Sequence, residues 1–110
     1  MPRGRDVRPA KWTKVIELYD DGDYSAIWGC FEGGRSRRLG VRWNGKGDHV
    51  GYPSQGGNSL WYAEPNFLVI PILFKLLEVV SSDSNEEKTT FINNINIAIS
   101  EACARQGEKQ

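Results

Sequence analysis

The side chains best suited to acid–base chemistry are Asp48 and His49, a neighbouring carboxylate and imidazole in a glycine-rich segment. Both groups serve in general acid–base catalysis. Adjacent residues in an extended chain point to opposite sides, so the pair is weak evidence for a catalytic site. An enzyme that uses His49 in a loop-covered pocket is therefore the least favoured hypothesis, and an exposed His49 would count against it.

Other reactive side chains follow patterns that favour structural roles. The cysteines and the histidine lack metal-ligand spacing, and the chain has no nucleotide-binding glycine loop and no nucleophile elbow. The carboxylates of Asp20, Asp21 and Asp23 suit a tight turn, and those of Glu86 and Glu87 suit a helix start. We therefore predict no catalytic residue, no bound metal and no cofactor.

Aromatic residues are the most distinctive candidates for binding. All four tryptophans and all four tyrosines precede residue 65. Most are expected to pack in the core, but Trp and Tyr carry polar tips and are seldom wholly buried. Several of them at a sheet edge can form a pocket for a small ligand, a peptide or a cation, and a planar arginine can stack on such rings. The candidate ligand-binding residues are Trp28, Arg42, Trp43, His49, Tyr52 and Trp61.

Basic residues support an alternative hypothesis, nucleic-acid binding. Arginines near the N-terminus and in the predicted third strand can contact phosphates, while aromatic rings stack on bases. The candidate residues for this function are Arg3, Arg5, Arg8, Arg35, Arg37 and Arg38. A formal net charge of zero speaks against it, so nucleic acid is a less favoured partner than a small ligand or peptide.

Turn-forming residues divide segment 13–44 into three predicted strands. Aspartates around Gly22 and a later pair of glycines mark the two corners. The β-branched and aromatic residues between them suit a pleated, half-buried surface. Gly29 and Gly40 lie inside strand patterns and indicate a bulge, a bend or a close approach of the backbone. The pattern predicts a strongly curled antiparallel meander.

Segment 44–59 is a predicted loop, because its glycines and its proline exclude a helix. A loop this long in a small domain is usually either functional or mobile. A short strand is expected at 50–52, and a last one at 60–63, where the following Glu64 and Pro65 favour extended geometry.

Two helices are predicted after Pro65. Pro71 indicates one helical turn after Pro65 and then a break or a kink, with the main helix running from about Pro71 to Val80 and apolar on nearly every side. Ser84 and Glu87 fit a capping box at the start of the second helix. The apolar stripe of that helix is expected to contain Phe91, Ile92, Ile95, Ile99, Ala102 and Cys103.

Together these elements predict an α+β fold: a curled antiparallel sheet of four to five strands, followed by two C-terminal helices packed on one face. A small closed barrel of SH3 type with appended helices is the alternative. A chain of 110 residues suits one core. We expect a flexible basic arm at 1–10, a single domain at 11–106 and a polar tail at 107–110.

The sequence also predicts the cellular compartment of the protein. The first residues lack a secretory apolar segment, and the longest apolar run is too short for a bilayer. Cys30 and Cys103 are far apart in sequence, which favours free buried thiols over a disulfide. These observations predict a cytoplasmic protein that does not contact a membrane.

One stretch carries a resemblance to a known family. The run DGDYSAIWGCFEGG, followed by RRLGVRWNG and GYPSQGGNSLWYAEP, resembles a family of small uncharacterised bacterial proteins associated with the mobile gene cassettes of integrons. The resemblance covers residues 12–65. It implies a bacterial cytoplasmic protein and supplies no catalytic residues.

The function that we expect from the sequence is a non-enzymatic binding or interaction module. The nearly all-apolar first helix favours self-association, as a homo-oligomer and most simply as a dimer. A monomer at micromolar concentration would count against that expectation.

Overall fold

The structure is a computed structural model that describes residues 12–46, 49–55, 58–84 and 86–108. The chain divides into two compact units, Met1–Glu64 and Pro65–Gln110. The predicted arm at 1–10 lies outside the described residues, and the single domain at 11–106 stays a prediction.

The N-terminal unit is an open antiparallel sheet. Its strands are β1 (Trp12–Asp20), β2 (Tyr24–Phe31), β3 (Arg37–Trp43), β4 (Ser54–Gln55), β5 (Asn58–Ser59) and β6 (Tyr62–Ala63). The main sheet has the order β1-β2-β3-β6, and β4 pairs with β5 in a separate small hairpin. Two helices follow, which confirms the predicted α+β meander. The described strands do not close into the alternative barrel.

Carboxylates build the first corner, as the sequence predicted. One oxygen of Asp21 accepts hydrogen bonds from the backbone N–H groups of Asp23 and Tyr24, at 2.8 Å each. Asp20 accepts one from the N–H of Gly22 at 2.9 Å. Burial acts to raise the pKa of Asp21. The two backbone bonds to Asp21 and a third from the Tyr19 hydroxyl outweigh burial and hold that pKa below its ordinary value.

Gly40 marks a close approach and not a bulge. A Cβ atom at Gly40 would lie 2.9 Å from the Trp12 ring, so only glycine lets that ring lie against β3. Trp12 then packs with Ile27 and Trp61 in one buried cluster. At Gly29 the approach is to Val15 on β1, where the β1–β2 register is irregular.

Asn44 joins the end of β3 to the first corner. It is fully buried; its side-chain oxygen accepts a bond from the Ser25 hydroxyl at 3.0 Å, and its nitrogen donates to the Gly22 carbonyl at 3.1 Å. Its backbone N–H donates to the Asp23 carbonyl at 2.7 Å. Buried polar groups need such partners, so this network holds the corner and the strand end in one arrangement.

Segment 49–53 lies against the end of β3. The predicted strand at 50–52 is reduced to one bridge, in which Trp43 and Tyr52 exchange two backbone hydrogen bonds of 2.7 and 2.9 Å. Gly51 has φ +81°, and a Cβ atom there would overlap the Trp43 carbonyl oxygen. Both the backbone angle and the space therefore require glycine.

The first helix, α1, runs without a break over Asn66–Ser81, so the predicted start at Pro71 is wrong. Proline removes one hydrogen bond, the one to the carbonyl four residues earlier, at Phe67. Phe67 is highly exposed, so water can reach this position. Val69, Leu73, Leu76 and Val80 form the buried stripe of α1. We attribute the tolerance of Pro71 to packing on this stripe.

The second helix, α2, spans Lys88–Glu108. It begins too late for Ser84 to be its N-cap, which corrects the predicted capping box. Its buried residues are Phe91, Ile95, Ala98 and Ala102. This stripe has the same spacing as that of α1, and the two helices contact each other. Cys103 falls beside the stripe and is exposed, whereas Cys30 is buried; both are free thiols.

The close packing at Gly51 generates a stability prediction. Gly51→Ala should destabilise the protein through two effects: a left-handed backbone angle, at about 1–2 kcal/mol, and overlap with β3, at a further ~1–3 kcal/mol. Gly33→Ala is the matched control, because Gly33 has φ +75° but nothing within 4 Å of an added Cβ atom. Urea unfolding measures both variants. Equal losses of unfolding free energy would contradict the close approach.

Candidate functional site

A pocket of about 300 Å³ opens on the N-terminal unit. We call it the aromatic pocket, and its lining residues are Tyr24, Val41, Arg42, Trp43, Tyr52, Pro53, Tyr62 and Glu64. Its volume lies at the lower end of the range of about 300–1,000 Å³ that is typical of small-molecule sites. Four of its eight lining residues are aromatic.

Strand register brings the rings of the aromatic pocket together. Tyr24 on β2 pairs with Trp43 on β3, and Val41 on β3 pairs with Tyr62 on β6. Directly opposed residues on neighbouring strands point to the same face of a sheet, and so do residues two apart on one strand. Tyr24, Trp43 and Tyr62 therefore share one face. Tyr52 joins them through its backbone bridge to Trp43.

The rings form walls at an angle to one another. The centroids of Tyr24 and Trp43 are 4.8 Å apart, and their planes meet at 64°. Trp43 is 57% exposed, Tyr52 65% and Tyr62 47%. Three large aromatic side chains thus leave much of their surface to solvent around one concavity, where a bound molecule could cover it.

Negative potential reaches the aromatic pocket from Glu64. Its backbone N–H donates to the Leu39 carbonyl at 2.9 Å, which fixes the residue beside β3. Burial, and then the charge of Glu64, raise the pKa of the Tyr24 phenol above its ordinary value of 10.0. The Tyr24 hydroxyl is therefore neutral at physiological pH, and it lies within the field of the carboxylate.

Arg42 is the buried charge of the site, with only 1% of its surface exposed. Its Nη1 donates to the Leu60 carbonyl at 2.6 Å, and its Nη2 donates to the Val50 carbonyl. Its guanidinium carbon lies 6.0 Å from the centre of the Trp61 ring. Among the described residues, its Nε has no hydrogen-bond acceptor. Burial lowers the pKa of this guanidinium, yet an arginine stays charged.

The candidate ligand-binding residues thus fall into distinct environments. Trp43 and Tyr52 line the aromatic pocket with exposed rings, and Arg42 lines it while its guanidinium is engaged with carbonyls. Trp28 and Trp61 are buried and do not line the pocket.

His49 is exposed and does not line the aromatic pocket; its backbone N–H donates to the Lys46 carbonyl at 3.0 Å. Asp48 lies outside the described residues. The exposure of His49 counts against the acid–base hypothesis, which required a covered imidazole.

Three of the candidate nucleic-acid-binding residues lie in the part of the chain that is described. Arg35 is exposed, while Arg37 and Arg38 are partly buried. Arg37 donates to the Lys14 carbonyl at 3.1 Å, so part of its hydrogen-bonding capacity is used within the sheet. Arg3, Arg5 and Arg8 lie outside the described residues.

Sequence reasoning left Tyr24, Tyr62 and Glu64 out of the predicted site. A hairpin register centred on the Gly33–Gly34 corner would have found Tyr24, because it sets Tyr24 opposite Trp43. No comparable signal exists for Tyr62 and Glu64, since a long connection leaves the register of β6 open.

Comparisons of the chain with family models, with curated proteins and with solved structures found no match. The resemblance to integron-cassette proteins therefore stays a prediction. No group of three or more potential metal ligands occurs among the described residues. None of the helices in the same ranges has the length and apolar character needed to cross a membrane.

The electrostatic effect of Glu64 on Tyr24 generates a prediction about ionisation. Glu64→Gln should lower the pKa of Tyr24, because it removes the negative charge that opposes the phenolate. Burial remains, so the pKa should stay above the ordinary value of 10.0. The measurement is a pH titration of ¹³C-labelled tyrosine ring signals by NMR, with Tyr24→Phe to assign the signal. Glu86→Gln, at an exposed position, is the control. An unchanged Tyr24 titration in Glu64→Gln would contradict the coupling.

Proposed function

We propose that this chain is a non-enzymatic binding module of the bacterial cytoplasm, and that the aromatic pocket is its ligand site. The observation that carries the proposal is the exposure of Trp43, Tyr52 and Tyr62 around one concavity. Single apolar side chains are common on protein surfaces, but a contiguous exposed group of them is typical of an interaction site. A small ligand, or one side chain of a peptide, suits a pocket of this volume.

The framework around the pocket supports the proposal. Trp43 and Tyr52 are joined by two backbone hydrogen bonds, and Tyr24 and Tyr62 lie on strands of the same sheet. Such walls are held before a ligand arrives, so binding needs little ordering of the backbone. A site built in this way suits recognition.

Nucleic-acid binding remains the alternative function, and no observation on the described residues favours it. The rings of the aromatic pocket could stack on bases. The lining also contains Glu64, however, whose carboxylate repels phosphates, and the guanidinium of the lining residue Arg42 is engaged with two carbonyls.

The ligand site generates a direct test. Full-length ¹⁵N-labelled protein is titrated with small molecules of cationic, neutral and anionic character, and amide shifts are followed by NMR. Ligands should shift the signals of Trp43, Tyr52 and Tyr62. Trp43→Ala should abolish these shifts, whereas Ile97→Ala, which removes an exposed apolar side chain on α2, should not. Far-UV circular dichroism checks that both variants fold. The proposal fails if no molecule of any class perturbs the pocket, or if the shifts persist in Trp43→Ala.

We also propose that the chain forms a dimer through α1. Phe67 is 77% exposed and Phe74 52%, and the two residues are seven apart, on one side of the helix. Leu68 and Val79 add further exposed apolar surface to α1. A second copy of the same helix would bury these side chains in a symmetric contact.

Light scattering at micromolar concentration tests the dimer. The wild type should have twice the mass of one chain, and the double variant Phe67→Glu, Phe74→Glu should have the mass of one chain, because charge opposes burial of the helix surface. Asn93→Glu, at an exposed position of α2, is the control for added charge and should stay dimeric. A monomeric wild type would exclude this part of the proposal.

A further inference from the structure

We infer that the aromatic pocket recognises a methylated ammonium group, such as the trimethylammonium head of a small molecule or a methylated lysine side chain. The inference rests on the proposed function and specifies the class of ligand for that site. It is carried by the angled aromatic walls together with the carboxylate of Glu64.

The first argument is the geometry of the rings. Tyr24 and Trp43 pack edge to face, and the rings of Trp43, Tyr52 and Tyr62 leave much of their surface exposed around the pocket that all four residues line. The face of an aromatic ring carries negative charge density and attracts a cation within about 6 Å of its centre. A compact cation in the aromatic pocket can contact several rings at once.

The second argument is charge. Glu64 supplies a formal negative charge to the lining. The raised pKa of Tyr24, caused by burial first and by Glu64 second, is consistent with a site in which a further negative charge is opposed. An anionic ligand would meet that opposition, while a cationic ligand would relieve it.

Two positive charges lie at or near the site. Arg42 also lines the aromatic pocket, but it alternates with Trp43 along β3, and its guanidinium donates to the carbonyls of Val50 and Leu60. Lys46 borders a neighbouring cavity and lies 3.9 Å from the carboxylate of Asp23. Lys46 therefore has an opposite charge nearby, whereas the carbonyls hold the Arg42 guanidinium in place without cancelling its charge.

The third argument distinguishes methylated from simple ammonium. A lysine ammonium has three N–H donors, each of which must keep a hydrogen bond when it leaves water. Ring faces offer few acceptors, which leaves Glu64 as the one carboxylate of the lining for three donors. A quaternary ammonium has no N–H group, so aromatic walls can replace its hydration without leaving a donor unpaired.

The test compares a cation with its neutral isostere. Isothermal titration of the full chain uses choline and 3,3-dimethyl-1-butanol, which has the same shape with carbon in place of the charged nitrogen. Choline should bind at least about tenfold more tightly, which corresponds to ~1.4 kcal/mol. Equal affinities would overturn the inference, and binding of the neutral compound at the pocket would still leave the proposed function standing.

Two variants separate charge from shape. Glu64→Gln should weaken choline binding several-fold and leave the neutral compound unaffected, whereas Trp43→Ala should weaken both. Glu86→Gln should change neither, because Glu86 is not part of the pocket. If Glu64→Gln affects choline and the alcohol equally, the carboxylate acts only on the structure and the inference fails.

A second arm identifies the source of the group. A peptide with trimethyllysine is compared with the same peptide carrying unmodified lysine. Tighter binding of the methylated peptide than of choline assigns the site to a protein partner, and the reverse order assigns it to a small molecule. Both results support the inference, whereas equal binding of methylated and unmodified peptides, without choline binding, would overturn it.

Discussion

A buried arginine, Arg42, fixes the connection between β3 and β6 in the N-terminal unit. Removing a charge from water costs several kcal/mol unless hydrogen bonds replace the lost hydration, and Arg42 cannot become neutral to avoid that cost. Its two bonds go to the carbonyls of Val50 and Leu60, which lie before and after the β4–β5 hairpin. The guanidinium of Arg42 on β3 therefore binds both ends of segment 50–60, which contains the β4–β5 hairpin.

These two bonds have a direct consequence for the aromatic pocket. Tyr52 and Tyr62 each follow an accepting carbonyl by two residues, and both line the pocket. Fixing the chain at residues 50 and 60 on one side of β3 thus places two walls of the site beside Trp43. Gly51 allows this arrangement, because any larger residue would overlap the backbone that carries Arg42 and Trp43. Arg42 thus lines the aromatic pocket and also holds the residues that form its walls.

Local rules misjudged the helical unit at two places. Pro71 was expected to begin a helix, but α1 passes through it, because a stripe of four apolar residues packs along its full length. Ser84 was expected to cap α2, but the helix begins at Lys88. Both expectations were based on the backbone preferences of one or two residues. The burial of several side chains contributes more free energy than one lost hydrogen bond or one cap.

The sequence by itself determined the three long strands, their corners and their faces, because turn residues and a period of two are local properties of the chain. A hairpin register centred on the Gly33–Gly34 corner also places Tyr24 opposite Trp43. Only the tertiary structure decided that Tyr52, Tyr62 and Glu64 join them. The connection from β3 to β6 is long, so no local signal sets its register. That register depends on the burial and hydrogen bonding of Arg42, which exist only when distant segments meet.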